Sequence, residues 1–175
     1  MFDTLKTLFA SFMDICLFRR QPQDLPASNF FLGILVMLSI AFGLLLNLIN
    51  LPFKHAVLAV ILNLSVVAII TQLLLRLHNK SARFNQTLIA QLGTGIVIAI
   101  IAAPVIVMLQ YAENNNVNAA PGAILWLILF TWELSVSAHI LRHALSTSFV
   151  QGFMISILYP LIYFRLLSFL IPEQS

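Results

Sequence analysis

The sequence predicts an all-α fold: a polytopic membrane bundle of five transmembrane helices, preceded by an amphipathic interfacial helix. Three observations predict it. Of the 175 residues, 61% are hydrophobic and only 9% are Asp, Glu, Lys or Arg, whereas a soluble domain carries roughly 25% charged residues. The apolar residues gather in five blocks, each long enough to cross about 30 Å of hydrocarbon at about 1.5 Å per residue. Within each block the apolar residues are continuous and do not alternate, which excludes a membrane β-barrel. Lipid cannot hydrogen-bond a free backbone, so each block must be a helix. Six acidic and nine basic residues are too few to coat a water-facing surface of this size, which excludes a soluble globular enzyme.

The chain begins with a segment, 1–28, expected to be cytoplasmic. In it Leu5, Leu8, Phe9, Phe12, Ile15 and Cys16 recur at helical spacing, while Asp3, Lys6, Ser11 and Asp14 fall largely elsewhere on the wheel. This predicts an amphipathic helix over 2–17 lying in the headgroup plane. The polar run Arg19-Arg20-Gln21-Pro22-Gln23-Asp24 then turns the chain toward the first span. Acids at Asp3 and Asp14, with no long apolar core before Arg19, are unlike a cleaved leader, so the first span is expected to be a retained anchor.

The transmembrane domain, 29–170, holds spans expected at 29–48, 56–77, 86–109, 123–141 and 149–170, followed by a short external tail, 171–175. Ser28 offers a cap for the first span. Asn50-Leu51-Pro52 separates the first two, and His78-Asn79-Lys80-Ser81 the second and third. The longest loop runs from Glu113 to Gly122, and its Pro121-Gly122 pair suits the start of the fourth helix. No domain boundary and no internal repeat interrupts the pattern.

Lys and Arg set the expected orientation. Five spans put the termini on opposite sides. Lys6, Arg19, Arg20, Arg76, Lys80, Arg83 and Arg142 fall on one side, only Lys54 on the other, and Arg165 inside the fifth span. The amino terminus is therefore expected in the cytoplasm and the carboxyl terminus in the periplasm.

Few residues invite chemistry. Glu133 lies about ten residues into the fourth expected span, at a depth where an unpaired acid costs roughly 2.5–3.5 kcal/mol. Arg165, in the fifth span, is the expected partner, and a Glu133–Arg165 ion pair would join the last two spans. The alternative leaves Arg165 snorkelling outward and Glu133 protonated. His139 is about 600° of helix turn beyond Glu133, on another face, and shares its own face with Trp132, Ser135, Arg142 and His143. It either relays protons with Glu133 through water or bonds a nearby carbonyl, the latter being the expected role. Gly95, Ala99 and Ala103 repeat every four residues, the small-residue face of a close helix contact. Pro104 and Pro160 are candidate kinks. Gln86, Gln91, Asn63 and Ser65 are expected to bond between helices, and Trp126 to anchor at an interface. Cys16, the single cysteine, reads as a buried bystander. The four histidines form no metal-ligand motif, no cofactor motif stands in the chain, and no basic patch suits nucleic acid.

The runs Arg19 to Ser28 before the first span, Arg83-Phe84-Asn85-Gln86-Thr87 opening the third, and Trp132 through His139-Ile140-Leu141-Arg142 closing the fourth resemble small bacterial inner-membrane proteins. Those proteins are similar to the Yip (Ypt-interacting protein) family. The resemblance implies five spans, a cytoplasmic amino terminus and action by binding other proteins. Eukaryotic members bind small GTPases through longer amino-terminal regions with no counterpart in residues 1–28, so that partner is not implied, nor is any catalytic residue. The expectation is thus a non-enzymatic protein of a bacterial inner membrane that binds or organises a partner complex or a homo-oligomer within the lipid bilayer. The alternative is a small transporter or channel using Glu133, His139 and Arg165 in a polar pathway.

Overall fold

The computed structural model describes residues 2–170, with side chains from Phe9 onward. Among these residues there are helices and turns and no strand. The elements are α1 (Phe2–Cys16), α2 (Asn29–Asn47), α3 (Phe53–Leu77), α4 (Phe84–Asn114), α5 (Ala120–Leu145), α6 (Phe149–Ser156) and α7 (Leu158–Leu170). Five stretches are long and apolar enough to cross a membrane, with α6 and α7 together forming the fifth. The protein is a multi-pass membrane helix bundle. The tail 171–175 and the side chains of Leu5 and Leu8 lie outside the described residues.

Local sequence explains the helix limits. Ser28 Oγ accepts from the Phe31 amide and caps α2. Ser148 and Gln151 close a reciprocal capping box on α6. At the other ends, α1, α3, α4 and α5 each stop on a left-handed residue: Phe18 (φ 61°), Asn79 (φ 56°), Asn116 (φ 52°) and Ser146 (φ 55°). In each case the next amide reaches back five residues, as Lys80 N–H does to the Leu75 carbonyl at 2.7 Å. Asparagine tolerates that backbone, whereas a phenylalanine there is strained by roughly 1–2 kcal/mol. The Phe18 ring lies edge-on to the His139 ring at 5.2 Å, a contact that helps hold the strained residue.

The two intrahelical prolines behave differently. α4, with the candidate kink at Pro104, runs through that residue without a break. Pro160 withholds the amide that would close a turn on the Ser156 carbonyl, and the helix divides at Ile157. That division redirects the second half. α6 packs along α5, whereas α7 packs on α3.

α4 is the hub and touches α1, α2, α3 and α5. The main core joins Leu88, Ile89, Ala90, Leu92, Val97 and Ile98 of α4 to Leu35 of α2, Val136 and Ile140 of α5, and Phe12, Ile15 and Cys16 of α1. The amphipathic helix is therefore present, but from Phe12 on its apolar face is covered by protein rather than by lipid. The reason is Gly93: a Cβ there would stand 2.2 Å from the Phe12 ring, so only glycine leaves room for the ring. Phe12 also stacks on Phe31 at 6.1 Å.

The small-residue face is a correction as well. A Cβ on Gly95 would meet nothing within 4 Å. Gly95 and Ala99 line a cavity, and Ala103 is half-buried, so this stripe receives no closely packed helix. The close approach lies elsewhere, at Gly152, where a Cβ would come within 2.6 Å of the Ala138 carbonyl oxygen. Backbone of α5 fills the space that the absent side chain leaves.

Two outcomes follow from this packing. Gly152→Ala drives a methyl into backbone and should cost about 1–3 kcal/mol, while Gly95→Ala should be neutral or stabilising by up to about 1 kcal/mol. Thermal unfolding in detergent should rank them Gly95→Ala ≥ wild type > Gly152→Ala, and equal melting temperatures would contradict the assigned contacts. Burial pushes the Cys16 thiol up to about 12, so at pH 8 only about one thiol in 10,000 is the reactive thiolate. Cys16 should resist maleimide in the folded protein and react once Gly93→Leu displaces α1; rapid labelling of the wild type would show that α1 is not docked.

Candidate functional site

Polar side chains gather in two places, with opposite characters. Near the amino-terminal end of the bundle most such groups are engaged, although Gln23 Oε1 and Thr147 Oγ1 are buried without a partner. Trp132 Nε1 donates to the Cys16 carbonyl at 3.0 Å, and His139 Nε2–H to the Arg20 carbonyl at 3.0 Å. Gln23 Nε2 donates to the His143 carbonyl at 2.9 Å, and Gln86 Nε2 to the Leu25 carbonyl at 3.2 Å. Arg83 reaches the carbonyls of His143 and Ala144, and Lys80 that of Leu145 at 2.7 Å. Two cations thus cap the negative end of α5. Arg20 also pairs with Asp24 at 3.9 Å on the surface.

The second place is a cavity of about 370 Å³ walled by all five spans. α2 contributes Ser39 and Asn47, α3 Asn63, α4 Gln91, Gly95 and Ala99, α5 Trp126, Phe130, Glu133 and Ser137, and the fifth span Ser156, Tyr159 and Tyr163. Glu133 is the fourteenth of the 26 residues of α5, about 20 Å from either helix end. Among the described residues no hydrogen bond or ion pair engages its carboxyl group. Ser39 Oγ is buried without a partner and belongs to the same wall.

Toward the amino-terminal end the cavity has a floor. Thr71 is fully buried, and its hydroxyl donates to Gln91 Oε1 at 2.7 Å. Tyr159 OH lies 3.1 Å from the same hydroxyl and accepts from Gln91 Nε2 at 3.4 Å. This triangle ties α3, α4 and α7 together. Beneath it Leu75, Ala144 and Leu145 are buried and pack together.

Toward the other end the cavity is loosely held. Residues 123–128 of α5 are all exposed, and six successive residues cover every face of a helix. α7 has no buried residue. The cavity therefore opens toward the carboxyl-terminal end and between α5 and α7.

The expected site residues are distributed as follows. The structure does not bring Glu133 and Arg165 together: no ion pair within 4.0 Å joins them. Arg165 lies on α7, which packs against α3, and its side chain is exposed. His139 is 3% exposed and holds the Arg20 carbonyl, the role expected of it. It does not line the cavity, so no relay with Glu133 forms. Its ring meets that of His143 edge-on at 4.8 Å. Gln86 and Gln91 bond between segments as expected, whereas Ser65 bonds its own helix at the Ile61 carbonyl. Trp126, expected as an interfacial anchor, stacks on Phe130 at 5.1 Å in the cavity wall. Tyr159, Tyr163 and Ser39 escaped the sequence reading, because single tyrosines and serines in apolar helices carry no periodic signal. Among the described residues, no three His, Cys, Asp or Glu side chains cluster as metal ligands would.

No protein-family model, curated protein or solved structure matches the chain. The class rests on the fold: a five-span membrane protein with one carboxyl group facing an internal cavity.

The floor can be tested by a double-mutant cycle. Thr71→Val and Tyr159→Phe should each lower stability by about 0.6–1.7 kcal/mol, and the double variant should lose less than both combined. Strict additivity in detergent unfolding would show that the two hydroxyls do not interact.

Proposed function

We propose that the protein is a non-enzymatic transporter-type component of a bacterial inner membrane, which admits a small solute from the periplasmic side to Glu133. The carrying observation is that the one carboxyl group deep in the spans faces a cavity bounded by all five of them. An acid at bilayer depth without a protein partner is costly, and a wet, ligand-binding cavity onto which the exposed Glu133 side chain opens removes that cost. The excess of Lys and Arg at the amino-terminal end supports a cytoplasmic amino terminus, which makes the hydrogen-bonded floor cytoplasmic and the open end periplasmic.

A second reading, in which the chain organises a partner complex, draws support from the apolar and exposed residues 123–128 and from the layout shared with Yip proteins. Lipid alone satisfies such a surface, so it weighs less than the cavity.

Cavity access is measurable. Ser137 lines the cavity near its floor, and Cys16, the only native thiol, is buried. A Ser137→Cys variant should react with a membrane-impermeant maleimide in right-side-out vesicles, at least about tenfold faster than in inside-out vesicles. No labelling from either face, or faster labelling from the cytoplasmic face, would overturn the reading.

A further inference from the structure

We infer that the solute is a lipophilic organic cation, held between the Glu133 carboxylate and the faces of aromatic rings; this rests on the proposed reading of the cavity. The charge of the site selects the sign. Glu133 is the only carboxyl group in the cavity wall, and no Lys, Arg or His lines it. When ionised, that single carboxylate draws a cation in and repels an anion.

The walls select the kind of cation. Phe42, Trp126, Phe130, Tyr159, Tyr163 and Phe164 all line the space. The Trp126 and Phe130 rings are stacked within 6° of parallel, and Tyr163 and Phe164 meet edge to face at 5.2 Å. Ring faces attract a diffuse positive charge and bury an apolar body. The volume of about 370 Å³ falls in the range of small-molecule pockets.

The route agrees with this chemistry. The gap between α5 and α7 is bordered by exposed apolar side chains, among them Leu127, Leu161 and Phe164. A solute that partitions into the outer leaflet can pass between the two helices and meet Glu133 without crossing a charged rim.

Tetraphenylphosphonium and tetraphenylborate have nearly the same shape and opposite charge, and so isolate the charge. In the full chain purified in detergent, with empty micelles subtracted, the phosphonium should bind saturably and the borate should not. Bound phosphonium should also slow maleimide labelling of Ser137→Cys. Glu133→Gln should weaken phosphonium binding at least about tenfold, Glu133→Asp less, and Trp126→Leu about two- to fivefold. The Gln variant should fold at least as well as wild type, because it removes a charge from the bilayer, and its melting temperature checks this. Equal binding of the two probes, or unchanged binding by a folded Glu133→Gln, overturns the inference. Labelling of Ser137→Cys without protection by phosphonium overturns the cation alone and leaves the accessible cavity standing. Absence of labelling overturns both.

Discussion

A polar group inside a bilayer must find its partner within the protein, and this requirement orders the whole molecule. It bears hardest on the stretch between α1 and α2, which is mostly not α-helical and yet packs against the bundle. Its backbone carbonyls at Cys16, Arg20 and Leu25 each receive a side-chain donor from α4 or α5. In return Gln23 from that stretch, with Arg83 and Lys80, satisfies the last carbonyls of α5. Buried backbone outside a helix is tolerated only under such cover. The docking of α1 depends on the same contacts, since Phe12 can seat on Gly93 only while the following residues are held in place.

The opposite half of the bundle obeys the requirement differently. There several polar groups, Ser39, Asn47, Asn63 and Glu133 among them, turn inward to a shared space. In the fifth span α6 lies tightly on α5, through Gly152, while α7 lies against α3. That arrangement leaves the space in front of Glu133 open and keeps Arg165 apart from it.

Legibility in the sequence divides along the same line. Span positions depend on local composition, and the five apolar blocks match the observed helices closely: the expected 29–48 is Asn29–Asn47, and 56–77 is Phe53–Leu77. The third and fourth spans proved longer, because Ala112, Glu113 and the residues after Leu141 continue a helical backbone beyond the hydrocarbon length used to place them. Facing is a tertiary property and was less legible. The face shared by Trp132 and His139 was visible from angle alone, and both do turn to the α1 segment. The destination of Gly95 was not, since a glycine reads alike whether a helix or a cavity lies opposite. The Glu133–Arg165 pair was inferred from depth, while the neighbour on which a span packs is invisible in a hydropathy pattern.

The two halves also differ in how much energy holds them. The amino-terminal half combines close packing with many satisfied hydrogen bonds, and any relative motion there would expose several carbonyls to lipid at once. The floor of the cavity is held by the Thr71, Gln91 and Tyr159 triangle. Interhelical hydrogen bonds in membranes contribute about 0.6 kcal/mol each on average, so the triangle amounts to about 2 kcal/mol. A ligand that binds an opened form only about thirtyfold more tightly than the closed one would offset that difference. Tyr159 stands in both the floor and the cavity wall, one position beside Pro160. A solute pressing on its ring therefore acts on the hydrogen bonds that close the floor and on the point where the fifth span already bends.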